Sequence, residues 1–156
     1  MDYLSYFVDA YLFFLIPKFS YSYKVQLVNP KKVYCIDNGM IETNSVSFSQ
    51  DNGRLLENMV YLSLRRQTSE IYYYAGKKEC DFVVLKNGKF DGLYQVCWQL
   101  DQNNTDRELQ GLLEAMEFFK INDASVITYD QSDLFTFGER TITVKPYHQW
   151  AFQEKV

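Results

Sequence analysis

Glu57, Asp81, Gln95 and Cys97 are the positions in this chain whose types and spacing suit chemistry. In Glu79-Cys-Asp-Phe-Val-Val-Leu85, strand alternation sets Glu79, Asp81, Val83 and Leu85 on one face. In Tyr94-Gln-Val-Cys-Trp-Gln99 it sets Gln95, Cys97 and Gln99 together. Antiparallel pairing across Lys86-Asn-Gly-Lys89 would bring Asp81 beside Gln95 and Cys97. Glu57 joins them from the preceding helix, at the border of its apolar face. Two carboxylates and an amide oxygen are hard ligands of the kind Mg²⁺ takes, together with retained waters. A metal there lowers the pKa of a bound water and stabilises charge at a phosphate. Cys97 brings neither a fixed charge nor several donors, and reads first as a small buried hydrophobe.

These residues need elements to position them. Leu4, Phe7, Val8 and Tyr11 recur at helical spacing, which predicts a short helix over 2–11. An apolar stretch over 12–16 follows and ends at Pro17, and residues 20–24 read as a loop or edge segment. Val33-Tyr-Cys-Ile36 is a β-rich run closed by the turn signal Asp37-Asn-Gly39. A polar loop is expected over 42–52. Residues 53–66 read as a helix whose apolar face is Leu56, Met59, Val60 and Leu64. Strands are expected over 71–74, 80–85 and 93–100, the last two joined by the Asn-Gly turn. Thr105 opens a helix to Lys120 with capping-box spacing to Glu108 and the stripe Leu109, Leu112, Leu113, Met116, Phe119. A strand over 126–129, a hairpin around Gly138 and a short terminal segment over 146–152 complete the chain. From residue 53 onward the order is α-β-β-β-α-β plus a hairpin, so the fold class is mixed α/β (α+β) with layered elements.

Composition narrows the function classes. The chain has 156 residues, 47% hydrophobic and 23% charged, which suits one folded domain rather than disorder. Sixteen Lys and Arg against 20 Asp and Glu give a net charge of -4, which excludes a generic basic nucleic-acid binder. The pairs Lys31-Lys32, Arg65-Arg66 and Lys77-Lys78 read as solvated faces, or else as a local basic patch. The longest apolar run, residues 11–16, is too short to span a bilayer, and no secretory signal is visible. Three cysteines without paired spacing read as reduced thiols, which suggests a cytoplasmic setting. Cys35, Cys80, Cys97 and His148 fit no zinc-finger spacing, and Cys80 and Cys97 are expected on opposite sheet faces. Arg107 and Glu108 are expected to serve a helix N-terminus, with a phosphate contact as the alternative for Arg107. No Gly-x-x-x-x-Gly-Lys-Ser/Thr occurs, so the chain shows no nucleotide site of the P-loop kind and is not itself read as an ATPase.

A helix Glu, a strand Asp and an acid-x-Lys pair on the next strand resemble the site of the PD-(D/E)XK nuclease superfamily. Here Gln95 stands where the second acid would be and Cys97 where the Lys would be. Over most of its length the chain also resembles the C-terminal domain of unknown function that follows the ATPase module in prokaryotic AAA+-type ATP-binding proteins. The residues that carry this are Asn29-Pro-Lys-Lys-Val-Tyr-Cys-Ile-Asp-Asn-Gly39, Gly53-Arg-Leu-Leu-Glu-Asn58, Ile71-Tyr-Tyr-Tyr74 and Glu79-Cys-Asp-Phe-Val83. Gln95-Val-Cys97, Thr105-Asp-Arg-Glu108, Ile127-Thr128 and Val144-Lys-Pro-Tyr-His-Gln-Trp150 continue it in order.

The resemblance implies a restriction-endonuclease-like αβββαβ core with a central mixed sheet. Residues 1–40 would be the remnant of a winged-helix or linker segment, and residues 41–156 the nuclease-like domain. Glu57, Asp81, Gln95 and Cys97 would form a degenerate catalytic site, with Glu57, Asp81 and Gln95 as weak ligands for Mg²⁺ or Mn²⁺. The implied function is an accessory domain of an AAA+ ATPase, in cis or in trans, that is catalytically impaired and acts in binding or assembly. An active Mg²⁺- or Mn²⁺-dependent DNA nuclease, with another basic group in place of the Lys, is one alternative. A protein-interaction module forming a homodimer, for which the many aromatics are suited, is another.

Overall fold

A computed structural model describes residues 3–44 and 51–152. α1 (Tyr3–Asp9) leads into β1 (Phe13–Pro17), and α2 (Tyr23–Val28) connects this to β2 (Lys31–Cys35). β1 and β2 form an antiparallel pair of their own, with Phe13 opposite Cys35 and Ile16 opposite Lys32. α3 (Asn38–Asn44) and α4 (Asn52–Arg65) follow. The main sheet contains β3 (Ile71–Ala75), β4 (Glu79–Lys86), β5 (Lys89–Val96), β6 (Asp123–Thr128), β7 (Asp133–Phe137) and β8 (Arg140–Pro146). α5 (Thr105–Phe119) crosses over from β5 to β6, and α6 (Tyr147–Ala151) ends the described chain.

The six strands lie in the order β3-β4-β5-β6-β8-β7. β3, β4 and β5 are antiparallel neighbours, β5, β6 and β8 are parallel, and β7 is antiparallel to β8. The expected mixed sheet between helices is therefore present. α4 packs Val60, Tyr61 and Leu64 on one face of it, against Phe82, Val84, Tyr94 and Ile127. α5 packs Leu109, Leu112, Ala115 and Met116 on the other, against Cys80, Val83, Leu93 and Val126. The β1–β2 pair adds Ile16 and Tyr34 to the α4 side. The Lys18–Tyr73 bridge and a hydrogen bond from Phe19 N–H to the Tyr73 carbonyl tie the β1 end to the edge strand β3. Among the described residues no helix is long and apolar enough to cross a membrane.

The Asn87-Gly88 turn forms as read, with both residues at positive φ, the geometry that matches the twist of the flanking strands. Several local expectations are corrected. α2 (23–28) begins inside the loop or edge segment expected over 20–24, and α3 (38–44) runs from the turn signal into the polar loop expected over 42–52; residues 45–50 of that loop lie outside the described residues. β5 ends at Val96, short of the expected 100. The capping box at Thr105 does not form: the Thr105 hydroxyl donates to the Asp101 carbonyl, and Glu108 turns inward to Gln95. Asn104 is the N-cap residue, and its side-chain oxygen accepts from the Asp101 N–H.

Candidate functional site

β4 departs from simple alternation where it matters. Cys80 belongs to the core under α5, whereas Phe82, two residues on, belongs to the core under α4. The pairing with β3 shifts between Tyr72 and Tyr74, which marks a bulge at Asp81 and Phe82. An extra residue in one strand re-aims the side chains beside it. Asp81 thereby reaches the side occupied by β2 and α4, while Val83 returns to the α5 side. Cys80 and partly buried Cys97 pack against the same core cluster, which corrects the expectation that they lie on opposite faces.

α4 buries Leu56, Val60, Tyr61 and Leu64, and this stripe holds Glu57 at the margin of the covered surface. β2 then delivers a residue that the sequence reading had assigned to a solvated pair. The Lys32 ammonium lies 2.7 Å from Glu79 Oε1, 2.8 Å from Asp81 Oδ1 and 3.3 Å from Glu57 Oε1. Tyr34, on the same face of β2, donates its hydroxyl to Glu57 Oε1 at 2.6 Å. Asp81 Oδ2 accepts the Val96 N–H at 2.9 Å. A cleft of about 390 Å³, lined in part by Phe13, Lys32, Tyr34, Arg54 and Glu57, opens alongside. The signal that could have found Lys32 is its spacing of two from Tyr34 in a β-rich run, which places both on one face.

Glu57 and Asp81 are thus brought together, with Glu79 as a third carboxylate. Gln95 and Cys97 are engaged elsewhere. Gln95 Oε1 accepts the Asp81 backbone N–H at 3.2 Å, and its Nε2 donates to Glu108 Oε2 at 2.8 Å. Cys97 donates to the Gln99 carbonyl and accepts from Asn104 Nδ2. Arg107 pairs with Glu108 at 2.6 Å. His148 is exposed on α6.

The electrostatics follow from burial. Burial pulls the Lys32 ammonium down, but Asp81 and Glu57 outweigh it and hold it above the ordinary lysine range. Burial and the Glu57 charge push the Tyr34 phenol up, so it remains a donor. Burial, then the Glu108 charge, pushes the Cys97 thiol up to about 11, against a nucleophilic role. Burial first, and then Glu57, raise the Asp81 carboxyl to about 6 despite Lys32. A carboxyl whose folded pKa exceeds its unfolded value binds its proton more tightly when folded. Its contribution to stability is complete below about pH 4 and is lost as pH rises through about 6. Carboxyl-carbon NMR should show Asp81 titrating near pH 6, and the stability of the wild type relative to Asp81→Asn should fall between pH 4 and 7. A midpoint near 4 would contradict this.

Residues 52–150 match the family described as "Domain of unknown function (DUF4143)", which covers α4 through α6. The chain belongs to the DUF4143 family. The DUF4143 chain is also similar to "Uncharacterized protein MJ1544" of Methanocaldococcus jannaschii, at 36% identity over 161 residues. That match covers 96% of this chain and 35% of the relative, so the chain spans about a third of the relative's length. No solved structure matches it. The DUF4143 match contains Glu57, Glu79 and Asp81, whereas Lys32 and Tyr34 lie before it.

Proposed function

We propose that this DUF4143 domain is a PD-(D/E)XK-like accessory domain of an AAA+-type ATPase. In this reading it is catalytically impaired, acts in binding or assembly, and works in the cytoplasm. The observation that supports impairment is the use made of Gln95. In the position of the second-strand acid stands a neutral amide whose two ends are both spent inside the protein, on Asp81 N–H and on Glu108. Cys97, in the position of the Lys, is tied to Gln99 and Asn104.

A divalent metal tests the same point. Glu57 and Asp81 have the right donor chemistry for Mg²⁺ or Mn²⁺. The Lys32 ammonium, however, is bonded to both, and Gln95 offers no free oxygen in that direction. The residues as arranged do not fit the metal.

One observation favours the active-nuclease alternative. Lys32 brings a basic group to Asp81 from another strand, 2.8 Å from its carboxylate. A cleavage assay on single- and double-stranded DNA with Mg²⁺ and with Mn²⁺ separates the two. Impairment predicts no cleavage above a protein-free blank with either metal. Robust wild-type cleavage that is lost in both Asp81→Ala and Lys32→Met would establish the alternative.

A further inference from the structure

We propose that the Lys32 ammonium is a built-in cation that occupies the place a divalent metal would take among Glu57, Glu79 and Asp81, closing the cluster without metal. This deepens the reading of an impaired nuclease-like site and rests on it.

A lysine ammonium has three N–H donors and no acceptor. Lys32 has three carboxylate partners on three different residues, at 2.7, 2.8 and 3.3 Å. It hydrogen-bonds Glu57 and Asp81 and forms an ion pair with Glu79, so its charge is committed to the cluster rather than to a substrate phosphate. The distances are those of ammonium hydrogen bonds, longer than the roughly 2.0–2.1 Å that Mg²⁺ requires of its oxygens. An ammonium and a divalent ion cannot both sit there.

The surroundings explain why some cation is needed. The Asp81 side chain is only 10% exposed, and a carboxylate so covered needs a counter-charge or a proton. The structure supplies one positive charge and two neutral donors: Tyr34 Oη on Glu57 and Val96 N–H on Asp81. The Tyr73 ring also lies 5.8 Å from the Lys32 ammonium, within range of a cation–π contact. Lys32 and Tyr34 enter together from one face of β2, a strand of the separate two-stranded sheet. The cluster is thus closed by an added element rather than by the sheet that carries two of its acids. Lys32→Met keeps most of the stem and removes only the charge, which leaves three acids converging on an unfilled centre.

The test is Mn²⁺ titration by calorimetry, with thermal unfolding in chelator and in Mn²⁺, for the wild type, Lys32→Met and Lys32→Met/Asp81→Asn. The wild type should show no saturable binding and no Mn²⁺-dependent shift. Lys32→Met should bind one Mn²⁺ at least about tenfold more tightly and regain stability with it, because a ligand that binds only the folded state stabilises it. The double variant should lose that gain. If Lys32→Met is unfolded in chelator, it should refold on adding Mn²⁺, as read by circular dichroism. Wild-type binding as tight as that of Lys32→Met would overturn the proposal, as would a Lys32→Met protein that neither binds Mn²⁺ nor refolds with it. Wild-type Mn²⁺ binding without DNA cleavage defeats this inference alone. DNA cleavage with the Mn²⁺ results as expected defeats the accessory reading alone.

Discussion

Lys32→Met, in metal-free buffer at pH 7.5, should be among the most destabilising single substitutions in the chain. Removing one partner from a covered ion cluster leaves the others uncompensated, and such losses run to about 3–5 kcal/mol. Glu79 is half exposed and can turn to water, which favours the lower end, about 3 kcal/mol. For a chain of 156 residues this lowers Tm by about 6–12 °C. The pH dependence identifies the cause. The penalty should be largest above neutral pH and should shrink as pH falls towards about 6, because without Lys32 the Asp81 carboxyl takes up its proton at a higher pH than in the wild type. Adding Glu57→Gln to the variant should recover part of the loss, since it removes one of the facing charges. A penalty that is flat with pH, or no recovery, would mean that Lys32 acts through its stem alone.

Gly111→Ala is the second large effect expected. Gly111 lies in the buried face of α5, and a β-carbon there would collide with the backbone carbonyl of Glu79. Alanine in mid-helix is favoured over glycine by about 1 kcal/mol, so propensity alone predicts stabilisation. Overpacking against backbone costs about 1–3 kcal/mol and at times more, because neither partner is a flexible side-chain end. The collision should win, at about 1–2 kcal/mol net, read by urea or thermal unfolding. Gly53→Ala is the control: its added carbon meets only the Asp51 side chain, at 3.7 Å, and should be neutral or mildly stabilising. Gly111→Ala also moves β4 at Glu79, so Glu79 should loosen from Lys32 even in molecules that stay folded.

Much of the frame was legible because it follows short-range periodicity. The stripe of α5, that of α4 apart from Met59, which is exposed while Tyr61 is buried, the β run at Val33 and the Asn87-Gly88 turn each need only a window of several residues. α2 and α3, at six and seven residues, lie below the length at which local pattern supports a helix, so their surroundings decide them. Asp81 and Glu57 were legible as site residues, but the geometry around them was not. Alternation carried through β4 predicts Asp81 and Val83 on one face, and a single bulge residue undoes that. The largest omission, Lys32, came from reading a charge pair as solvated because most are. Its partners Glu57 and Asp81 lie 25 and 49 residues away in sequence, and no local window contains them.

That separation gives an expectation for the order of folding, which φ-values at β2 and β4 would check. β3, β4 and β5 are linked by short turns and can pair early, whereas the Lys32–Asp81 contact must close a much longer loop. Until it does, Glu57, Glu79 and Asp81 are drawn together by the packing of α4 and β4 while repelling one another. A domain without the β2 contact would therefore carry a frustrated acidic knot, which Lys32 relieves in the folded state. The small sheet is thus expected to act as a latch on the folded state rather than a peripheral ornament, and hydrogen exchange faster in β2 than in β4 would bear this out.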